Sequence, residues 1–119
     1  MQYVLLIYQG TTPLPSSEAW AILSEDEQKA IYADYGTLNQ TPGVTPGLPL
    51  GLPEQATTVR VQDGKAQTSD GPFLGDGGAV GGYFIFEADD LDAAIGLAAR
   101  IPDAHLGGAI EVRPVGTYW

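Results

Sequence analysis

Residues 3–8, "YVLLIY", form an unbroken run of β-branched, aromatic and leucine side chains, too short for a helix and without flanking polar periodicity. Such a run predicts a strand. "QGTTPLPSS" then breaks the chain with Gly and two Pro residues. A short helical turn is expected around Glu18–Ile22, burying Trp20. In "SEDEQ", Ser24 and Glu27 have the spacing of a capping box, in which hydroxyl and carboxylate each satisfy a free backbone N–H. Ile31, Tyr35 and Leu38 then recur on one face of a helix. The segment 41–53, "TPGVTPGLPLGLP", carries four Pro and three Gly, which excludes a regular helix or a central strand. Val44, Leu48, Leu50 and Leu52 nevertheless give this loop something to bury.

"TTVRV", "QDGK" and "AQTS" predict a hairpin turning at Asp63-Gly64. "YFIFEA" predicts a further strand after a glycine-rich stretch. Asp89 or Asp90 is placed to cap a helix whose apolar residues Leu91, Ala94, Ile95 and Ala98 follow at i, i+3, i+4 and i+7. Pro102 ends that helix, and "GGAIEVRPV" closes the pattern as a strand. The order β-α-β-β-loop-β-α-β is that of an α+β, ferredoxin-like domain with an antiparallel sheet and two main helices on one face.

Both faces of that sheet carry apolar side chains, because neither "YVLLIY" nor "YFIF" alternates with polar residues. Two helices cover one face. At about 25 cal/mol per Å², leaving the aromatics of the other in water forfeits several kcal/mol. A second subunit or a ligand is expected to cover it, and a homodimer packed sheet against sheet is the economical solution.

Composition narrows the function classes. The 119 residues suit one domain, here residues 1–115 with a short tail at 116–119. Five Lys and Arg against 15 Asp and Glu give a net charge of −10. Direct nucleic-acid binding and attachment to an anionic membrane are disfavoured, since both rest on clustered cations. Cysteine is absent, which removes disulfides, zinc fingers and thiol catalysis. No apolar run approaches a membrane span, and "MQYVLLIYQG" lacks the basic start and cleavage site of a signal peptide. A cytoplasmic protein is expected.

The most conspicuous stretch is "TSDGPFLGDGGAVGGYFIF", residues 68–86. Gly75 and Gly77 could begin a dinucleotide fingerprint, but Val80 stands at its third position and a strand follows where a helix is required. Asp70 and Asp76 would also repel a phosphate. The glycines are better explained by tight turns and close backbone approach at a strand entrance. No cofactor and no metal are expected. Asp89, Asp90 and Asp92 could form an all-oxygen cation site, but capping of the helix explains them.

His105 is the single histidine and the natural acid or base near neutral pH. Ser69-Asp70 is no hydrolase signature. Glu111 and Arg113 share one face of the last strand, where Arg113 could hold a ligand carboxylate or pair with its neighbour. Any pocket should lie among the aromatics Tyr3, Tyr8, Tyr83, Phe84 and Phe86.

Several strings together resemble one family. "DGPF" at 70–73, Gly81-Gly82 before "YFIFEADDLDAAIGLAARIP", and "EVRPV" at 111–115 look like the DGPF branch of the YCII-related family, with "YVLLIY" and the hairpin in keeping. The resemblance implies a bacterial protein of ferredoxin-like fold that dimerises into an α/β-barrel assembly, with no established reaction. It also implies a tie to extracytoplasmic-function sigma factors, as an accessory regulator. On this resemblance Asp70, Gly71, Pro72, Phe73, Tyr83, Glu111 and Arg113 are the expected pocket and signature residues, around a small-molecule ligand. Other YCII-like proteins have been proposed to use a His–Asp pair. Here the first long helix has no His, and the Asp-Pro expected after the second appears as Ile101-Pro102. The enzyme alternative therefore places His105 as acid or base, with Asp70 or Glu111 orienting its ring.

Overall fold

The computed structural model describes residues 1–15, 17–75 and 78–116. Asp76 and Gly77 of the glycine-rich segment, and residues 117–119 of the expected tail, lie outside them. Strand β1 (Gln2–Tyr8) takes the centre of the main sheet, as its uninterrupted apolar run requires. A five-residue helix α1 (Glu18–Ile22) follows, its Trp20 N–H bonded by the Ser17 side chain. Helix α2 (Glu25–Asn39) starts on the expected capping box. Glu27 N–H donates to Ser24 Oγ at 3.1 Å, and Ser24 N–H donates to Glu27 Oε1 at 3.1 Å. The chain continues through β2 (Val44–Pro46), β3 (Thr57–Gln62), β4 (Lys65–Asp70), β5 (Val80–Glu87), α3 (Leu91–Ala98) and β6 (Ala109–Pro114). Asp90 caps α3, its carboxylate accepting from Ala93 N–H at 2.9 Å.

The main sheet has the order β2-β5-β1-β6, every neighbouring pair antiparallel. The result is an α+β domain. Its strand composition departs from the sequence reading in one respect. The edge beside β5 is built by Val44–Pro46, from within the Pro/Gly-rich segment, and not by the hairpin. An edge position tolerates Pro46, because a proline lacks only the N–H that would face outward. The hairpin β3–β4 instead forms a separate two-stranded sheet, with Asp63 and Gly64 both at positive φ in its turn. Nearly all of its side chains are exposed.

Register decides which residues are covered. Tyr3, Leu5 and Ile7 of β1 alternate inward, across from Phe86, Phe84 and Gly82 of β5 and from Val112 and Ile110 of β6. Against them pack Leu38 of α2 and Ala94, Leu97 and Ala98 of α3, with Ile101 just beyond. Leu5, Leu38 and Ile101 are fully enclosed. Both long helices thus lie on one face of the sheet. On the other face Val4, Leu6, Tyr8, Tyr83 and Ile85 are half-buried, beside Glu111 and Arg113. The molecule is flat, 48 × 43 × 18 Å, with a radius of gyration of 16.0 Å. A compact domain of this length would have about 13.5 Å.

Candidate functional site

The Pro/Gly-rich segment does not close down on the core. It leaves a hollow of about 670 Å³ between α1, α2 and the covered face of the sheet. One wall is Ile7 with Gly82 and Phe84. A second is Trp20, Ile31, Tyr32 and Tyr35. The third is the loop carrying Leu48 and Leu50, which are exposed at the mouth. Trp20 meets Tyr32 edge to face, ring centroids 5.2 Å apart, and Tyr35 stacks on Phe84 at 6.3 Å. Trp20 is half-buried and lines this hollow. The expectation that α1 buries it fails because the five-residue helix buries none of its side chains.

One end of the hollow is polar, and two turns build it. Thr12 N–H donates to the Gln9 carbonyl at 2.9 Å, Thr11 N–H to the Gly107 carbonyl at 3.2 Å, and Gly108 N–H to the Asp103 carbonyl at 2.9 Å. These bonds hold Gln9, Thr12 and Asp103 in one corner. The register between β1 and β5 slips at Ile7/Tyr8, leaving Gly81 as a bulge. The Gln9 amide lies over that glycine, in the space a Cβ would take. A bulge glycine therefore has a specific use here.

Gln9 is 8% exposed and Asp103 4%, the two buried polar side chains among the described residues. Tyr35 donates its phenolic hydrogen to Asp103 Oδ1. Burial pushes the Asp103 carboxyl above the usual carboxylate range, while the Tyr35 bond pulls it back. Burial, then the adjacent carboxylate, push the Tyr35 phenol up, so it stays a donor. Gln9 Oε1 and Thr12 Oγ1 are enclosed and have no hydrogen-bond partner. Such atoms are rare in folded proteins, and an unmet acceptor costs on the order of 1–3 kcal/mol.

Among the residues expected from the sequence, Tyr83 borders this hollow, although its register puts its side chain on the sheet face away from the helices. Pro72 and Phe73 line a second, shallower depression of about 450 Å³ with Tyr8, Leu52 and Val80. Arg60 lies over the Phe73 ring, 5.5 Å from its centroid. Asp70 ends β4 at the surface, and Gly71 turns the chain there with φ of +94°, its N–H donating to the Ala56 carbonyl. Glu111 and Arg113 stand on the sheet face away from the helices, where Glu111 accepts from the Tyr8 hydroxyl at 3.2 Å. His105 is exposed, its Nε2–H donating to the Ala99 carbonyl at 2.5 Å. The structure gives His105 no hydrogen bond to Asp70 or Glu111, and none of these three lines the hollow. Among the described residues no group of three or more His, Asp or Glu side chains is gathered for a metal, and no helix is long and apolar enough to cross a membrane.

Sequence reasoning missed Gln9, Thr12 and Asp103. One signal was available: Tyr35, on the apolar face of a helix, carries a hydroxyl that needs a partner once its ring is buried. Over residues 1–118 the chain matches the sequence model of the YCII-related domain. No curated protein matches it.

Proposed function

The chain belongs to the YCII-related domain family, and we propose that it binds a small molecule in the hollow between its helices and sheet. One observation carries this reading. A half-open apolar cavity of about 670 Å³ is lined at one end by the buried Asp103 carboxylate, which Tyr35 holds through its hydroxyl. Ligand sites have this composition, an apolar lining with a few convergent polar groups, and typical volumes of about 300–1,000 Å³. A core feature of the fold alone would have filled the space with side chains.

The binding unit is a homodimer in this reading, with the ferredoxin-like chain of the DGPF type meeting a second copy through the sheet face opposite the helices. Supporting it are the half-buried Val4, Leu6 and Ile85 on that face and the unusually extended shape. Light scattering at micromolar concentration should return twice the chain mass, and a monomer would refute the dimer.

Thermal denaturation against a broad panel of small aromatic and aliphatic compounds tests the binding reading. A ligand at a hundred times its Kd should stabilise the protein by about 2.7 kcal/mol. Gly82→Val should abolish the effect. The Cβ of residue 82 would sit 3.7–3.9 Å from Leu48, Ile7 and Pro49, so the added methyls enter the hollow. Absence of any stabilising compound would refute the reading.

A further inference from the structure

The chemistry of the polar corner says which ligands the hollow can take. Its described lining includes no Lys, Arg or His, and Asp103 is its one carboxylate. The unpartnered Gln9 amide oxygen and Thr12 hydroxyl are enclosed behind this lining and do not meet the ligand directly. Asp103 spends one oxygen on the Tyr35 hydroxyl. Asp103 is therefore the one charged group lining the hollow, and its carboxylate asks for a donor. A carboxylate or phosphate entering it would meet a like charge at low dielectric and find no cation to offset it. An ammonium supplies several donors and the opposite charge. Trp20 and Tyr32, in edge contact along the same wall, add aromatic surface that suits an apolar body carrying a cation.

We propose that the hollow is specific for an amine with an apolar body, its ammonium seated on Asp103 and its body lying along Trp20 and Leu48. This rests on the reading of the hollow as a ligand site and adds the ligand's chemical class. It also reassigns the ionic contact: the sequence offered Arg113 as a holder of carboxylates, whereas the carboxylate of this cavity selects a cation. The acidity of the whole chain, net −10, works in the same direction by attracting cations to its surface.

Isothermal titration of the full chain with three probes of one shape tests the proposal: 2-phenylethylamine, 2-phenylethanol and 3-phenylpropionate. The amine should bind at least tenfold tighter than the acid, with the alcohol between them. Asp103→Asn, which keeps the shape and can still accept from Tyr35, should bring amine and alcohol within about threefold, through a larger loss for the amine than for the alcohol. Trp20→Leu, which removes aromatic lining and leaves Asp103 in place, should weaken all three probes while the amine stays the tightest, so it keeps the test valid if the first variant folds poorly. Equal or tighter binding of the acid by the unaltered protein would overturn the amine assignment and leave the ligand site standing. Undiminished preference for the amine in Asp103→Asn would remove Asp103 from recognition. If none of the probes binds, the amine assignment falls, and the panel of diverse compounds then decides whether the ligand-site reading falls with it.

Discussion

Tyr35→Phe isolates the buried contact on which the polar corner depends. The substitution keeps the ring that stacks on Phe84 at 6.3 Å and deletes only the hydroxyl that donates to Asp103. Asp103 is 4% exposed, so little water reaches the oxygen that loses its donor. A hydrogen bond to a charged acceptor is worth about 1.5–3 kcal/mol. The unfolding constant at neutral pH should rise about 10- to 150-fold, since 1.4 kcal/mol is tenfold. For a chain of this length that corresponds to a fall in Tm of roughly 6–12 °C.

Urea denaturation followed by tryptophan fluorescence measures the change, with an unaltered slope confirming that the same surface is exposed on unfolding. The cost should depend on pH. Once Asp103 takes up a proton at low pH, the lost bond is one between neutral groups, and the penalty falls to about 0.5–1.5 kcal/mol. In an Asp103→Asn background it should be similarly small at all pH values. A penalty below about 0.5 kcal/mol at neutral pH would refute the reasoning, because it would mean that the hydroxyl and carboxylate are not joined in a dry site.

Asp103→Asn makes a second prediction whose sign follows from linkage. The folded state holds the Asp103 proton more tightly than the unfolded chain does, so this group's contribution is fully present below the ordinary carboxylate pKa and is lost as pH rises through its folded value. The stability of Asp103→Asn relative to the natural protein should therefore climb from about pH 4 upward and level off above the folded pKa; a flat difference in paired denaturation curves would contradict the burial of a charge. Ile101→Ala, at a fully enclosed position where α3 meets the sheet, should cost about 2–5 kcal/mol by the same assay. A loss under about 1 kcal/mol would show that this part of the core is loosely packed.

Much of the fold could be read from the sequence because it rests on local rules. The Ser24/Glu27 capping box, the Asp63-Gly64 turn and the Asp90 cap each involve residues within three positions of one another. The inward face of β1 follows from the sheet's period of two. The edge strand at Val44–Pro46 was hidden because its Pro and Gly content forbids a central strand, and an edge strand is the exception to that rule. The separation of the hairpin from the sheet was hidden for a related reason: pairing partners are chosen by tertiary packing and leave no local mark.

The polar corner is the least legible part. Tyr35 and Asp103 are 68 positions apart, and Gln9 reaches the cavity through a one-residue bulge in the register with β5. No spacing rule links such residues. The glycine-rich approach to β5 was legible as a backbone device, but its use at Gly81, making room for the Gln9 amide, depends on a residue 72 positions earlier.

Whether a small molecule enters this hollow is most directly measured by amide and indole chemical shifts of the isotope-labelled protein during titration with 2-phenylethylamine. The account predicts saturable shifts concentrated at Gln9, Thr12, Gly81, Gly82 and the Trp20 indole, with His105 and Arg113 unmoved. Shifts confined to the surface around Asp70, Glu111 or Arg113, or no saturable shift at all, would contradict it.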